Sequence, residues 1–385
     1  MHVKEIDPAD VASLVDQGVR AINQRDPALA ISIFGNVLEI SPGNISALTG
    51  SATAQWSLGN MAESIDLLCQ AHELKPESQQ IRGDLRRALL ILFETSQQSG
   101  DAKTALSAIR KLRALDPDHL PTQMNLELAL TLGSEKATLS DYAPDLKESD
   151  LARTVLVACM PKSGSSWLLQ SLCGATGFET GNLAHAYLEN EQELYLPAVR
   201  ALAKQNKIVQ QHCRASTPNV HIIQAFDMRT VVLVRNLFDT LVSLRDFWDG
   251  GAVRTSFFYG DWNAFDDETK LETLTGHVAP WYVSFFASWK MAEAAGAVAP
   301  KWVSYENMMP SKTETLTSVI EHAGLLANPQ RIDALVGELE EKRHTTRFNK
   351  GVSGRGDETF SDDQKERIRR LTGAFPSIDF SPIGL

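Results

Sequence analysis

Cysteine is scarce in this chain: Cys69, Cys159, Cys173 and Cys213 are the four among 385 residues. They are scattered, with neither the paired spacing of a zinc site nor the density of a disulfide-built domain, so reduced thiols in an intracellular, cytoplasmic setting are expected. Long apolar runs are missing as well. Nothing approaches the roughly 20 residues a membrane-crossing helix requires, and the opening Met1–Asp7 lacks the apolar region of a secretory signal. Basic residues are outnumbered, 37 Lys and Arg against 48 Asp and Glu, which leaves a net charge of −11 and argues against general nucleic-acid binding. His, Cys, Asp and Glu do not fall into a metal-ligand spacing next to any other motif, so no metal is expected.

What remains is an ordinary composition for a globular protein, 43% hydrophobic and 22% charged, in a length that admits two domains. The first third is repetitive. Asp26-Pro27-Ala28-Leu29-Ala30-Ile31 through Ile40-Ser41-Pro42, displaced by 34 residues, becomes Asn60-Met61-Ala62-Glu63-Ser64-Ile65 through Leu74-Lys75-Pro76. A third copy runs from Asp101 to Pro117. Gly59 and Gly100 mark the turn in two copies, and Arg25 stands at that place in the first. Helix pairs of this period with a closing proline resemble tetratricopeptide repeats, which implies an all-α domain over 1–135 and a concave face for a peptide or protein partner. A packing extension without a partner is the other reading. The net charge is −8 over residues 1–150 and −3 over 151–385, a weak pointer to basic or neutral partners at the repeats. Residues 136–150, with Ser140, Pro144 and weak periodicity, read as a linker, and 151–385 as a second domain.

In the second domain, the β-branched run Thr154-Val155-Leu156-Val157-Ala158-Cys159 leads into Met160-Pro161-Lys162-Ser163-Gly164-Ser165-Ser166-Trp167 and a helix pattern beyond. A small polar turn feeding a helix N-terminus is an anion site, because the first N–H groups lack intrahelical partners and the dipole favours negative charge. Lys162 adds charge, and Ser163, Ser165 and Ser166 add hydroxyl donors. A nucleoside-triphosphate loop requires lysine after its second glycine, whereas Lys162 precedes Gly164.

A second buried-strand pattern, Thr230-Val231-Val232-Leu233-Val234, ends in Arg235 and a helix pattern that carries Ser243 eight residues later. An arginine fork suits a phosphate because it donates two parallel hydrogen bonds and stays charged. Lys301-Trp302-Val303-Ser304 is a further short strand pattern followed by Tyr305-Glu306-Asn307, and Asn349-Lys350-Gly351 opens a glycine-rich late segment. Between the two phosphate motifs, Lys207-Ile208-Val209-Gln210-Gln211 ends in His212.

In this order the motifs resemble those of the sulfotransferases that use 3′-phosphoadenosine 5′-phosphosulfate (PAPS), with both threonines of Pro-Lys-Ser-Gly-Thr-Thr-Trp replaced by serine. The resemblance covers residues 151 to about 365. It implies an α/β fold, a three-layer parallel-sheet phosphate-loop-like domain, and a sulfuryl transfer to a hydroxyl or amine on a carbohydrate, small molecule or protein side chain. It further implies that Lys162, Ser163, Gly164, Ser165 and Ser166 cradle the 5′-phosphosulfate and that Trp167 and Tyr305 approach the adenine. Arg235 and Ser243 would hold the 3′-phosphate, and Asn349, Lys350 and Gly351 would close over it. Lys162, His212 and Ser243 take the catalytic roles of leaving-group stabiliser, general base and restraint on the lysine. Gln210 and Gln211 depart from the family's lysine and threonine, Asn349 from its arginine, and Arg355-Gly356 from its Asp-Trp.

His185, His221 and His277 are the reserve bases. Phe247 and Trp248 are expected to pack inside, as are Phe257, Phe258, Tyr259, Trp262, Trp281 and Tyr282 unless they line an acceptor pocket. A non-catalytic repeat scaffold and a kinase on the related phosphate-loop frame are the alternatives. The kinase lacks its Gly-Lys-Ser/Thr order and an evident magnesium carboxylate.

Overall fold

The computed structural model describes residues 8–116, 125–126, 128–131, 136–185, 191–251, 255, 257–258, 260–341 and 354–385. Its backbone divides into two compact units, Met1–Glu135 and Lys136–Leu385.

The first unit is built from antiparallel helix pairs: α1 Pro8–Asn23, α2 Pro27–Ile40, α3 Ile45–Ser57, α4 Met61–Leu74, α5 Gln79–Ser99 and α6 Ala102–Leu115. Side-chain oxygens of Asp26, Asn44, Ser78 and Asp101 accept from the backbone N–H groups of Leu29, Ala47, Ile81 and Thr104, so four helix starts are capped by the residue types that do this best. The turns between paired helices need a left-handed residue, and Gly59 (φ 83°) and Gly100 (φ 76°) supply it. Arg25 takes the same conformation (φ 61°) in the first copy, at a cost of roughly 1–2 kcal/mol. One core cluster of this unit surrounds Phe34, fully buried among Ala21, Ala30, Val37, Ala47 and Ala54, and a second joins Leu48, Ala71 and Ile81. Gly18 and Gly50 lie against its ring so closely that a Cβ at either would stand 2.5 and 2.4 Å from a ring carbon.

The second unit is an α/β fold around a five-stranded parallel sheet, with strands β1 Thr154–Cys159, β2 Glu179–Gly181, β3 Lys207–Gln211, β4 Arg229–Val234 and β5 Lys301–Ser304 in the order β2-β3-β1-β4-β5. β1 is central, with Val155 opposite Ile208 of β3 on one side and Arg229 of β4 on the other. Every β1 residue is buried, which is why this strand reads as an unbroken apolar run rather than an alternation. Val155, Val157, Cys159, Ile208, Val231 and Leu233 pack beneath helices α7 Ser165–Thr176, α11 Lys312–His322 and α12 Pro329–Glu341. The alternate residues Leu156, Ala158, Val209 and Val232 point to the opposite face and are equally buried, so the sheet is covered on both sides. Three further helices matter to the site: α8 Thr217–Ala225, α9 Leu237–Asp249 and α10 Ala279–Ala294.

Residues 136–150, read as a linker from their weak periodicity, pack as part of this second unit. The backbone N–H of Ala137 donates to Gln224 Oε1 of α8 (3.2 Å), and a short helix, Leu139–Tyr142, buries Leu139 and Tyr142. Four helical residues are too few to print a period on the sequence. No helix among the described residues is long and apolar enough to cross a membrane.

Candidate active site

The chain leaves β1 in one direction toward β2 and leaves β4 in the other toward β5, so the carboxyl ends of these adjacent strands flank the point where the strand order reverses. Open α/β sheets place ligands there. The turn after β1 is tight: Ser163 Oγ donates to the Met160 carbonyl (2.6 Å), and the Ser163 N–H donates to the same oxygen (3.2 Å). Lys162 (φ 69°) and Gly164 (φ 91°) are both left-handed. Glycine is needed at 164 for a second reason, since a Cβ there would stand 2.9 Å from the Tyr305 ring. α7 begins at Ser165, its first carbonyl acceptor being Gly164. Ser166 is exposed, while Ser163 and Ser165 are buried.

Arg235 at the end of β4 joins this turn directly. Its Nη1 donates to the Lys162 carbonyl (3.2 Å), and its guanidinium lies over the Tyr305 ring, 4.3 Å from the centroid. Asp239, Ser243 and Phe247 follow at four-residue steps along α9 and share one stripe. Asp239 and Ser243 are buried, and Phe247 carries the Lys162 ammonium 4.2 Å from its ring centre. Phe247, expected inside the protein, keeps 37% of its surface exposed. Trp248, Trp262 and Tyr282 are buried, and the Tyr282 hydroxyl donates to the Pro161 carbonyl (3.2 Å), bracing the turn from α10. Trp281 and Phe257 stack edge to face, with centroids 6.4 Å apart.

His212 stands at the end of β3. Its Nδ1 lies 2.9 Å from the Cys159 carbonyl oxygen. A carbonyl only accepts, so Nδ1 carries the proton and Nε2 is left with its lone pair, the tautomer of a base. Burial pushes the His212 pKa below its ordinary value, partly opposed by the bond to Cys159. The Cys159 thiol, 3.4 Å from the same nitrogen, is pushed up to about 12 by burial, and burial raises Tyr282 too, so both stay neutral.

The structure therefore gathers Lys162, Ser163, Gly164, Ser165, Arg235, Ser243, Tyr305 and His212 at the carboxyl end of the sheet. Trp167, in the first turn of α7, packs partly on the core between α7 and the sheet, and its buried indole N–H has no hydrogen-bond partner among the described residues. Tyr259, Asn349, Lys350 and Gly351 lie outside the described residues. His185 sits edge-on to Tyr195, and His221 is buried in α8. His277 occupies a π-helical turn, Leu274–Val278, beside an open groove of about 460 Å³ lined also by Glu272 and Arg367. No group of three or more potential metal-ligating side chains occurs among the described residues.

Three features escaped sequence reading. Asp239 accepts from the N–H groups of Gly354 (2.8 Å) and Gly356 (2.9 Å), and Arg355 pairs with Asp246 (2.7 Å), which anchors the late segment to α9. A Cβ on Gly356 would stand 2.3 Å from Phe238 Cβ and 2.5 Å from its backbone, which explains glycine where the resembled family has tryptophan. Gln192 and Gln211 enclose the backbone of His212. The acidic residues at the correct helical step from Ser243 were the one available signal for the first of these.

No protein-family model matches the chain, and no curated protein matches it. Among solved structures, mouse sulfotransferase SULT7A1 complexed with PAP aligns at 16% identity over 65% of this chain and 92% of that one, with a TM-score of 0.46. MamA aligns at 18% identity over 33% of this chain and 66% of its own, with a TM-score of 0.24. A mutant O-GlcNAc transferase from Thermobaculum terrenum aligns at 13% identity over 86% of this chain and 74% of its own, with a TM-score of 0.23.

Proposed function

We propose that the second unit is a PAPS-dependent sulfotransferase acting on a hydroxyl or amine acceptor, with residues 1–135 forming a repeat domain that offers a face to a protein or peptide partner. The observation that carries this reading is the hydrogen bond between Arg235 and the Lys162 carbonyl, which unites two anion-binding signatures that lie far apart in sequence. The residues suit such a cosubstrate. A helix N-terminus with Ser165 and Ser166 answers one phosphate, the Arg235 fork with Ser243 answers another, and the Trp167 indole N–H, which has no partner among the described residues, and the Tyr305 ring are polar and aromatic groups fit for a base.

PAPS supplies the activated sulfuryl group, whose bond to the 5′-phosphate oxygen breaks as a bond to the acceptor forms. His212 Nε2 takes the acceptor's proton. Lys162 places an ammonium where negative charge grows on the leaving oxygen, an interaction strengthened by the low dielectric of the strand ends. Ser243 restrains that lysine until an acceptor arrives. A reducing, cytoplasmic setting belongs to this reading.

The test is calorimetric binding of 3′-phosphoadenosine 5′-phosphate (PAP) without metal, with ATP as competitor. Wild type binds and prefers PAP. Arg235→Ala weakens it roughly 10- to 100-fold, the equivalent of losing about 1.5–3 kcal/mol of charge-assisted hydrogen bonding, and Lys162→Met weakens it less. Absence of binding, or preference for ATP with magnesium, overturns the assignment in favour of the scaffold or the kinase.

A further inference from the structure

Beyond Gln211 the backbone of β3 runs on past Gly181, the last residue of its neighbour β2, and the segment 191–195 takes up the edge. One residue of that segment occupies both main-chain groups of His212. The Gln192 N–H donates to the His212 carbonyl (2.8 Å), and the His212 N–H donates to Gln192 Oε1 (2.8 Å). The clamp is itself held: Gln211 Nε2 donates to the Gln192 carbonyl (2.9 Å), and Gln211 Oε1 accepts from the Leu183 N–H (2.9 Å). Gln192 is 5% exposed and Gln211 1%.

From this geometry we propose that Gln192, backed by Gln211, is the positioning residue that fixes His212 as a base: it holds the histidine backbone so that Nδ1 meets the Cys159 carbonyl and Nε2 stays available. The proposal rests on the role given to His212 above. Gln211 stands where the resembled family has threonine, and Gln192 reaches it from outside that motif, so the two glutamines are a device of this chain rather than a decayed motif.

The chemistry explains why the clamp is an amide. Gln192 lies between Glu191, which accepts from Arg214 N (3.0 Å), Arg214 Nε (2.7 Å) and Trp281 Nε1 (2.7 Å), and Glu193, which accepts from Ser216 Oγ (2.9 Å). Around His212 stand the neutral Cys159 and Cys213 thiols and, beside Cys159, the neutral Tyr282 phenol, while the Glu191 and Glu193 carboxylates act on the adjacent Cys213. A carboxylate at 192, bonded to the His212 N–H itself, would favour the imidazolium, and an imidazolium has no lone pair with which to accept a proton. An amide gives the same acceptor oxygen without the charge.

The test is ¹⁵N NMR of histidine-labelled full-length protein, with the His212 signals assigned by their loss in His212→Gln, alongside PAP calorimetry. In wild type His212 shows the Nδ1–H pattern and titrates below 6.5. Gln192→Ala shows averaged tautomers and a titration moved up toward the ordinary value, with PAP affinity within about twofold of wild type. Gln192→Glu, which keeps the acceptor oxygen, retains the Nδ1–H pattern but titrates higher than wild type. An unchanged tautomer and titration in Gln192→Ala overturns the proposal. Should that variant not fold, loss of the Nδ1–H pattern in Gln192→Glu overturns it equally. Failure of wild type to bind PAP instead overturns the sulfotransferase reading, whatever His212 shows.

Discussion

The two units of this chain use glycine and left-handed backbone for opposite ends. In the helical unit Gly59, Gly100 and the strained Arg25 turn one helix back on its neighbour, and Gly18 and Gly50 make room for Phe34. All of these serve packing between elements adjacent in sequence. In the α/β unit Lys162, Gly164 and Gly356 bring together segments that are remote in sequence: the turn after β1, the ring of Tyr305 and the stripe of α9. The lesson is that a repeat needs its special residues at regular intervals, where they are easily found. A site needs them wherever distant strand ends meet.

Each side of that comparison can be tested by substitution. The largest effect is expected from Phe34→Ala, which empties a fully buried position and costs about 3–5 kcal/mol. Hydrogen exchange at amides of α2 and α3 reads it, and protection unchanged within about 1 kcal/mol would show that this cluster does not hold those helices together. Gly356→Ala comes next, at about 1–3 kcal/mol, because the clash is with backbone and Cβ atoms of Phe238 that have no rotamer to escape into. Loss of protection at residues 354–360 together with weaker PAP binding is the expected result. Protection lost without any effect on PAP would separate this anchor from the site.

Smallest is the cap at Asp101. Asp101→Ala removes the acceptor for the Thr104 N–H and weakens the start of α6. Hydrogen bonds from the Thr104 side chain and backbone hold the Asp101 carboxyl below its ordinary value of 3.8. The cap therefore contributes fully above that value and fades as pH falls through the lower folded-state value. Asp101→Asn keeps an acceptor and removes this pH dependence, which urea denaturation at pH 6 and pH 3 would check.

Much of this was legible beforehand. The repeat showed through its period, and β1 and β4 through apolar runs that only a doubly covered sheet tolerates. Lys162, Gly164, Arg235 and Tyr305 stood out because strand-end turns and a fork-shaped cation have few other uses. The clamp on His212 did not. Gln192 and Gln211 are ordinary polar residues, and their meaning comes from a pairing between a loop and a strand end that carries no local pattern. The same holds for Asp239, whose two partners lie more than one hundred residues away. The expected linker at 136–150 failed for another reason: brevity hides a packed segment as effectively as disorder does.

The position of β1 at the middle of the sheet also governs how the chain can acquire its fold. Its partners β3 and β4 follow about fifty and about seventy residues later, so the strand must close long loops before it gains any hydrogen bond. The helix pairs of the first unit meet within a few tens of residues and suffer no such delay. Contact order predicts fast helix pairing followed by slow sheet closure, and a folding rate lowered by Val155→Ala, at a residue paired on both sides, is the result that would bear this out.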